Sequence, residues 1–377
     1  MKRFAALIVT FAALLSFTHI HAERTAGPDL SKAASALLMD ADSGRIILEK
    51  NADEKVEAAG LKRLPALLMV CDAFDSGTIK GDAEVTVPEK AAGIKGPTAF
   101  LSVNERIKAE LLLKASVMLT AGDSILSLIN SVFPSESAAL ESIGKRTGLE
   151  LSDSMGNGEL FTAMEIASVA LELAESEAFR KYSSVYTDSL EHENAGTTEL
   201  TNPNRLVRFY SGCFGLATGS VGASEYSGAF IARRGTTTFL AVLTGMQSSK
   251  ERFELAAEML DYGFSSYRTV NICDAGTALG TVEVIGGTEN TVEAITGESV
   301  SALTPVGSSK VITEAVLPDE ITAPVKEGET IGSMLIKGAD GEAIKEVPLY
   351  AKNSIDKAKY AYYFKAILTC WLRGSQH

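Results

Sequence analysis

A serine and a lysine three residues apart on a helix share one face, so an amine with a depressed pKa can take the hydroxyl proton and create an acylating nucleophile. Two such pairs stand in this 377-residue chain, Ser142-Ile-Gly-Lys145 and Ser354-Ile-Asp-Lys357. A chain this rich in serine and lysine should hold roughly two by chance, and neither sits in a flanking sequence that would make it a site. Arg146-Thr147-Gly148, a basic residue before Thr-Gly, closes the same helix as Lys145 and reads as a helix end. Histidine is nearly absent: His19 and His21 lie near the start, His377 is the last residue, and His192 is the only internal one. That excludes a multi-histidine metal centre and leaves any Ser-His-Asp triad hanging on one residue. The setting "LEHENAG" reads as a polar turn with a solvated imidazole, so hydrolase chemistry here needs another base.

Cys71, Cys213, Cys273 and Cys370 are far apart, without CxxC spacing, which excludes a metal knuckle and a thioredoxin-like site; no disulfide is expected. The net charge of -13 argues against a nucleic-acid footprint, and 46% hydrophobic residues suffice for a full core. The start, "MKRFAALIVTFAALLSFTHIHAER", has basic Lys2 and Arg3, an apolar run from Phe4 to Phe17, and a small residue at Ala22. It reads as an export signal over residues 1–22, too short in its apolar run to span a bilayer.

The elements that must position any site follow from periodicity. "SALLMDADSGRIILEKNAD" reads as a hairpin turning at Asp42-Ser43-Gly44. Apolar residues then recur at three and four over Lys62–Phe74, Lys108–Val132 and Leu160–Arg180, predicting helices with one buried stripe. Past Gly215 come three short strands, "GLATGSVG", "SGAFIARR" and "TTTFLAVLTG", then the helix "KERFELAAEMLDYGF". Their short turns demand antiparallel pairing, so residues 23–267 read as an α+β domain whose sheet unites both ends of the segment. Residues 268–350 are short, β-branched and punctuated by Gly, Asp and Pro, predicting a small all-β sandwich. In the tail, residues 351–377, a helix would gather Tyr360, Tyr363, Phe364, Ile367, Leu368 and Trp371 on one face with Lys357, Lys359, Lys365 and Arg373 around it. A basic, aromatic end on an acidic chain fits a membrane surface better than a groove of its own protein.

Five fragments in order, "LMDADSGRIILEKNADEK", "VPEKAA", "LLLKASVMLTAGD", "TNPNRLVRFY" and "GLATGSVGASEYSGAFIARRGTTTFLAVLTG", resemble the D-alanyl-D-alanine carboxypeptidases, the low-molecular-mass penicillin-binding proteins of peptidoglycan maturation. The resemblance runs from about Ser31 to Tyr267, and the β-rich segment and amphipathic tail match the family's second domain and membrane attachment. It implies a penicillin-binding, β-lactamase-like transpeptidase domain and three working motifs: S-x-x-K on a helix, S-x-N on a loop and K-T-G on a strand.

Laid on this chain, those motifs have lost their reactive members. Ala59 stands at the nucleophile position, with Lys62 at the lysine. Thr120, Ala121 and Gly122 stand at S-x-N; Thr120 keeps a hydroxyl, while Gly122 has no amide. Ala217, Thr218 and Gly219 stand at K-T-G, where the carboxylate-binding lysine is missing and the glycine is implied to admit a substrate backbone. Loss of the nucleophile alone removes ~10⁶ in turnover from a serine hydrolase. Gly60 and Pro65 further imply a helix that begins late, since both are poor helix-interior residues. The resemblance therefore implies an exported, membrane-associated homologue on the outer face of the cytoplasmic membrane, without cofactor or nucleic-acid partner. Its activity would have lapsed, and it would bind peptidoglycan stem peptides or a cell-wall protein. A carboxypeptidase with a non-standard nucleophile, and a structural module working through the β domain, are the alternatives.

Overall fold

A computed structural model describes residues 27–193, 196–222, 225–307, 311–338, 341 and 343–360. The expected export signal and residues 361–377, where most of the expected amphipathic face falls, lie outside the described residues. Among the described residues no helix is long and apolar enough to cross a membrane.

The expected hairpin forms from Ser35–Asp40 and Ile46–Lys50. It enters an antiparallel sheet in the order Ile46–Lys50, Ser35–Asp40, Thr237–Met246, Glu225–Arg234, Cys213–Gly215, and Thr218–Val221 also pairs with Glu225–Arg234. Both faces are covered, so the central strands are apolar almost throughout. Leu37, Met39, Leu240 and Val242 face the helical core, while Ala36, Leu38, Phe239 and Ala241 face the helix Ser249–Ser266.

Two long helical periods prove to be broken. The run Lys108–Val132 forms Ala109–Leu119 and Gly122–Val132, because Thr120 takes a left-handed backbone that no helix can carry through. The run Leu160–Arg180 forms Ala163–Glu175, started by a capping box between Thr162 and Glu165, and then Glu177–Ser183. Ser142 and Lys145 lie on the helix Glu136–Thr147, where Lys145 pairs with Glu141 on the surface and Arg146 with Asp72 and Glu172.

Beyond Ser266 the chain is β-structured. A six-stranded sheet runs Ile312–Val316, Thr330–Lys337, Ala343–Ala351, Thr291–Thr296, Ala278–Ile285, Glu320–Thr322, beside the pair Tyr267–Cys273 and Val300–Pro305. Val282, Val292, Ala302, Met334, Ile336 and Leu349 fill its own core. Residues just past 351, read from sequence as the start of the tail, still belong to this unit: Ile355 bridges Val325 and Lys357 bridges Gly287.

Candidate functional site

The helix start that Gly60 and Pro65 disfavour is indeed delayed. Residues Ala59–Arg63 form a 3-10 turn, and the α-helix runs Leu64–Asp75 with Pro65 in its first turn, where its missing N–H is not needed. Ala59 itself is buried and left-handed, with φ of 51°. A side chain at such an angle costs about 1–2 kcal/mol, so the residue that the resemblance puts at the nucleophile position is strained. Lys62 follows three residues later in the same 3-10 turn. It is half-buried, its Cβ lying near Gly156, and among the described residues its amine has no hydrogen-bond or ion-pair partner.

Arg63 follows on the apolar stripe that continues through Leu67, Val70 and Cys71, and it is buried to 5% exposure. Its guanidinium donates Nη1 to the carbonyls of Thr120 (2.8 Å) and Pro97 (3.0 Å), and Nη2 to that of Lys95. Burial pushes its pKa down, and the charge of Asp123 opposes the shift. Asp123 is also buried; its carboxylate accepts the backbone N–H of Ala99, Leu101 and Ser124 and so fastens the loop around exposed Phe100.

Thr120 therefore reaches the first motif through its carbonyl. Its hydroxyl is buried and donates to the carbonyl of Leu119 (2.6 Å), and its left-handed φ of 49° is an outlier for a β-branched residue. Gly122 opens the next helix directly against Arg63: a Cβ at 122 would stand 2.8 Å from Cζ and 2.9 Å from both Nη atoms. The place of a side chain at 122 is thus taken by a guanidinium.

At the third motif, Ala217 is buried beside the strand Glu225–Arg234, and its carbonyl accepts the N–H of Ala229. Thr218 and Gly219 begin the strand Thr218–Val221, which lies on the 3-10 turn. A Cβ at 219 would come to 2.2 Å from the nitrogen of Gly60 and 3.3 Å from the Cβ of Ala59. The glycine implied to admit a substrate backbone here admits the backbone of Gly60 instead. Behind this strand Arg252 donates Nη1 to the carbonyls of Gly219 and Ser227, both at 2.9 Å, and lies between Tyr226 and Phe253. Burial lowers its pKa to about 10.

All three motif positions therefore converge on the turn Ala59–Arg63, but around small side chains and two buried arginines. Sequence reasoning missed Arg63, Asp123 and Arg252. The available signal was a charge on an otherwise buried helical stripe, as in "LKRLPALLM". His192 also corrects its reading. Its side chain is 3% exposed, with Nδ1 2.8 Å from Glu105 Oε1 and Nε2 2.7 Å from Thr198 Oγ1. Enclosed in this way, the imidazole fastens the hairpin Thr187–Thr201 to the Glu105 turn, because a polar group buried by packing needs partners.

Residues 22–247 match the family described as D-alanyl-D-alanine carboxypeptidase, and residues 267–357 match the C-terminal domain of penicillin-binding protein 5. The chain is 28% identical to the D-alanyl-D-alanine carboxypeptidase DacF of Bacillus subtilis, over 99% of this chain and 100% of that one. It is 23% identical to DacC of Escherichia coli, over 93% and 91% respectively. The fold is that of penicillin-binding protein 5 from Haemophilus influenzae, with a TM-score of 0.78 and 20% identity over 88% of this chain and 99% of that one. It is likewise similar to a peptidoglycan synthesis regulatory factor from Streptococcus pneumoniae, with a TM-score of 0.69 and 18% identity over 86% and 99%. A match over residues 22–247 of 377, on a fold whose motif positions converge as described, means that the protein belongs to the D-alanyl-D-alanine carboxypeptidase family.

Proposed function

We propose that this chain is an exported, non-catalytic member of its family that binds peptidoglycan stem peptides or a cell-wall protein and so regulates wall metabolism. The observation that carries the reading is Ala59: the residue three before Lys62, packed against the strand Thr218–Val221, has a methyl group, which cannot attack a carbonyl. Acylation would also lack a free amide at 122 and a cation at 217. The fold as a whole is shared with penicillin-binding protein 5, which suits a surface kept for recognition. The link to peptidoglycan comes from the carboxypeptidase relatives and the pneumococcal regulatory factor. Attachment to a membrane surface rests on the aromatic and basic residues 357–373.

Fluorescent penicillin tests the reading, since acylation of a serine nucleophile leaves a covalently labelled band. The protein is expected to give no band beside a catalytic relative labelled in parallel, while calorimetry with purified muropeptides detects binding. A covalent band overturns the non-catalytic reading. Absent binding to muropeptides and to sacculi leaves a structural role.

A further inference from the structure

The lesion at the second motif is a replacement, and the residue that fills it comes from the first. We propose that the Arg63 guanidinium is a built-in occupant of the seat that a side chain at position 122 would take, so that residues 63 and 122 can change only as a pair. This deepens the proposed function and rests on it in one respect only, the reading of 122 as the amide position.

Three observations carry the inference. The guanidinium sits in a socket whose walls are two glycines: a Cβ at 122 would meet it at 2.8 to 2.9 Å, and one at Gly96 would stand 3.0 Å from Nη2. Contacts below 3.0 Å are not tolerated by a packed core, and the group is held too firmly to step aside. Its anchors are the carbonyls of Lys95 and Pro97, the latter also accepting the N–H of Gly122, and of Thr120, the first residue of the second motif. Arg63 has also lost most of its contact with water, so the cation is kept by these carbonyls and by the field of Asp123, not by solvent. An amide side chain restored at 122 would find its space and the carbonyls of Lys95, Pro97 and Thr120 already claimed. Reactivation of this cleft therefore needs Arg63 removed, in addition to changes at 59, 122 and 217.

A sign reversal tests the pairing in the full-length protein. Gly122 opens a helix with no positive φ recorded, so alanine should be the better helix former there if space allows. Gly122→Ala is expected to lower the thermal midpoint by roughly 2–4 °C beside Arg63 and to raise it in an Arg63→Leu background. Arg63→Lys, whose slender end leaves the seat while its amine still donates, serves as a second background should Arg63→Leu not fold. The same sign of effect in every folded background overturns the proposal. A further arm separates it from the functional reading: in Ala59→Ser/Ala217→Lys, fluorescent penicillin should label Arg63→Leu/Gly122→Asn but not Gly122→Asn alone. A sign reversal without such labelling leaves the shared seat standing and removes the amide assignment of residue 122.

Discussion

Gly219 and Gly60 meet backbone to backbone, and no Cβ fits between them. Gly219→Ala is therefore expected to push the strand Thr218–Val221 off the 3-10 turn and destabilise the domain by about 1–3 kcal/mol. Gly93→Ala, at an ordinary φ with open space around it, is the control and should be neutral or better. Urea midpoints of the two variants check this; equal midpoints would mean that the strand gives way freely.

The left-handed backbone of Ala59 holds strain. Ala59→Gly should stabilise the protein by about 1 kcal/mol, because glycine adopts φ of 51° without a Cβ clash. A lower urea midpoint would show that the strain has been relieved by a contact of the Ala59 methyl.

Ala59→Ser alone should not restore release of D-alanine. The serine would gain Lys62 as a neighbour, but Arg63 still fills the seat at 122 and residue 217 still offers no cation. Turnover is measured as D-alanine freed from a muropeptide pentapeptide. Full activity from this one change would show that neither of the other losses matters.

Asp40 is buried at the end of its strand. Its Oδ2 accepts the N–H and hydroxyl of Ser43, while Oδ1 has no partner. Burial raises its pKa above the ordinary 3.8, which the Ser43 hydrogen bonds only partly offset. A raised folded pKa means that the native state binds the proton more tightly. The protonated group thus contributes stability that is fully present below pH 3.8 and is lost as pH rises through the folded pKa. Asp40→Asn should therefore be more stable than the parent at pH 7 and lose that advantage toward pH 3.5, as followed by thermal unfolding across pH.

His192→Ala should cost about 3 kcal/mol, since it leaves the Glu105 carboxylate, 6% exposed, facing a void. Removing both with Glu105→Gln should cost less than the sum of the two single changes. Strict additivity in that cycle would mean that the 2.8 Å contact carries no coupling.

Much of this architecture is written in local periods. The strand "SALLMD" and the helix "LPALLMVCDAF" form where their apolar runs put them, but the strand is buried on both faces, and the helix, expected to bury one stripe, is buried on nearly every side from Leu64 to Cys71. The motif positions are assigned through their flanking fragments, "NADEKVEAAGLKRL", "LLLKASVML" and "GLATG", which resemble the family in order. What sequence left hidden depends on contacts between distant segments. Thr120 breaks a continuous helical period because the chain must turn there to present a carbonyl to Arg63, 57 residues earlier. Arg63 itself resembles any surface cation until two glycines and three carbonyls close around it. His192 sits in polar sequence, and only the approach of Glu105 from 87 residues away encloses it.

The pairing of Ser35–Asp40 with Thr237–Met246 has a consequence for the order of assembly. Thr244 and Ser35 are joined across 209 residues of sequence, in the middle of the sheet and not at its edge. A chain emerging N-terminus first would hold its opening hairpin without a partner until Met246 had appeared, and contacts so far apart form slowly because the loop must close first. During that interval the apolar residues of Ser35–Asp40, buried on both faces once the sheet is complete, would be open to any passing chaperone or misplaced strand edge.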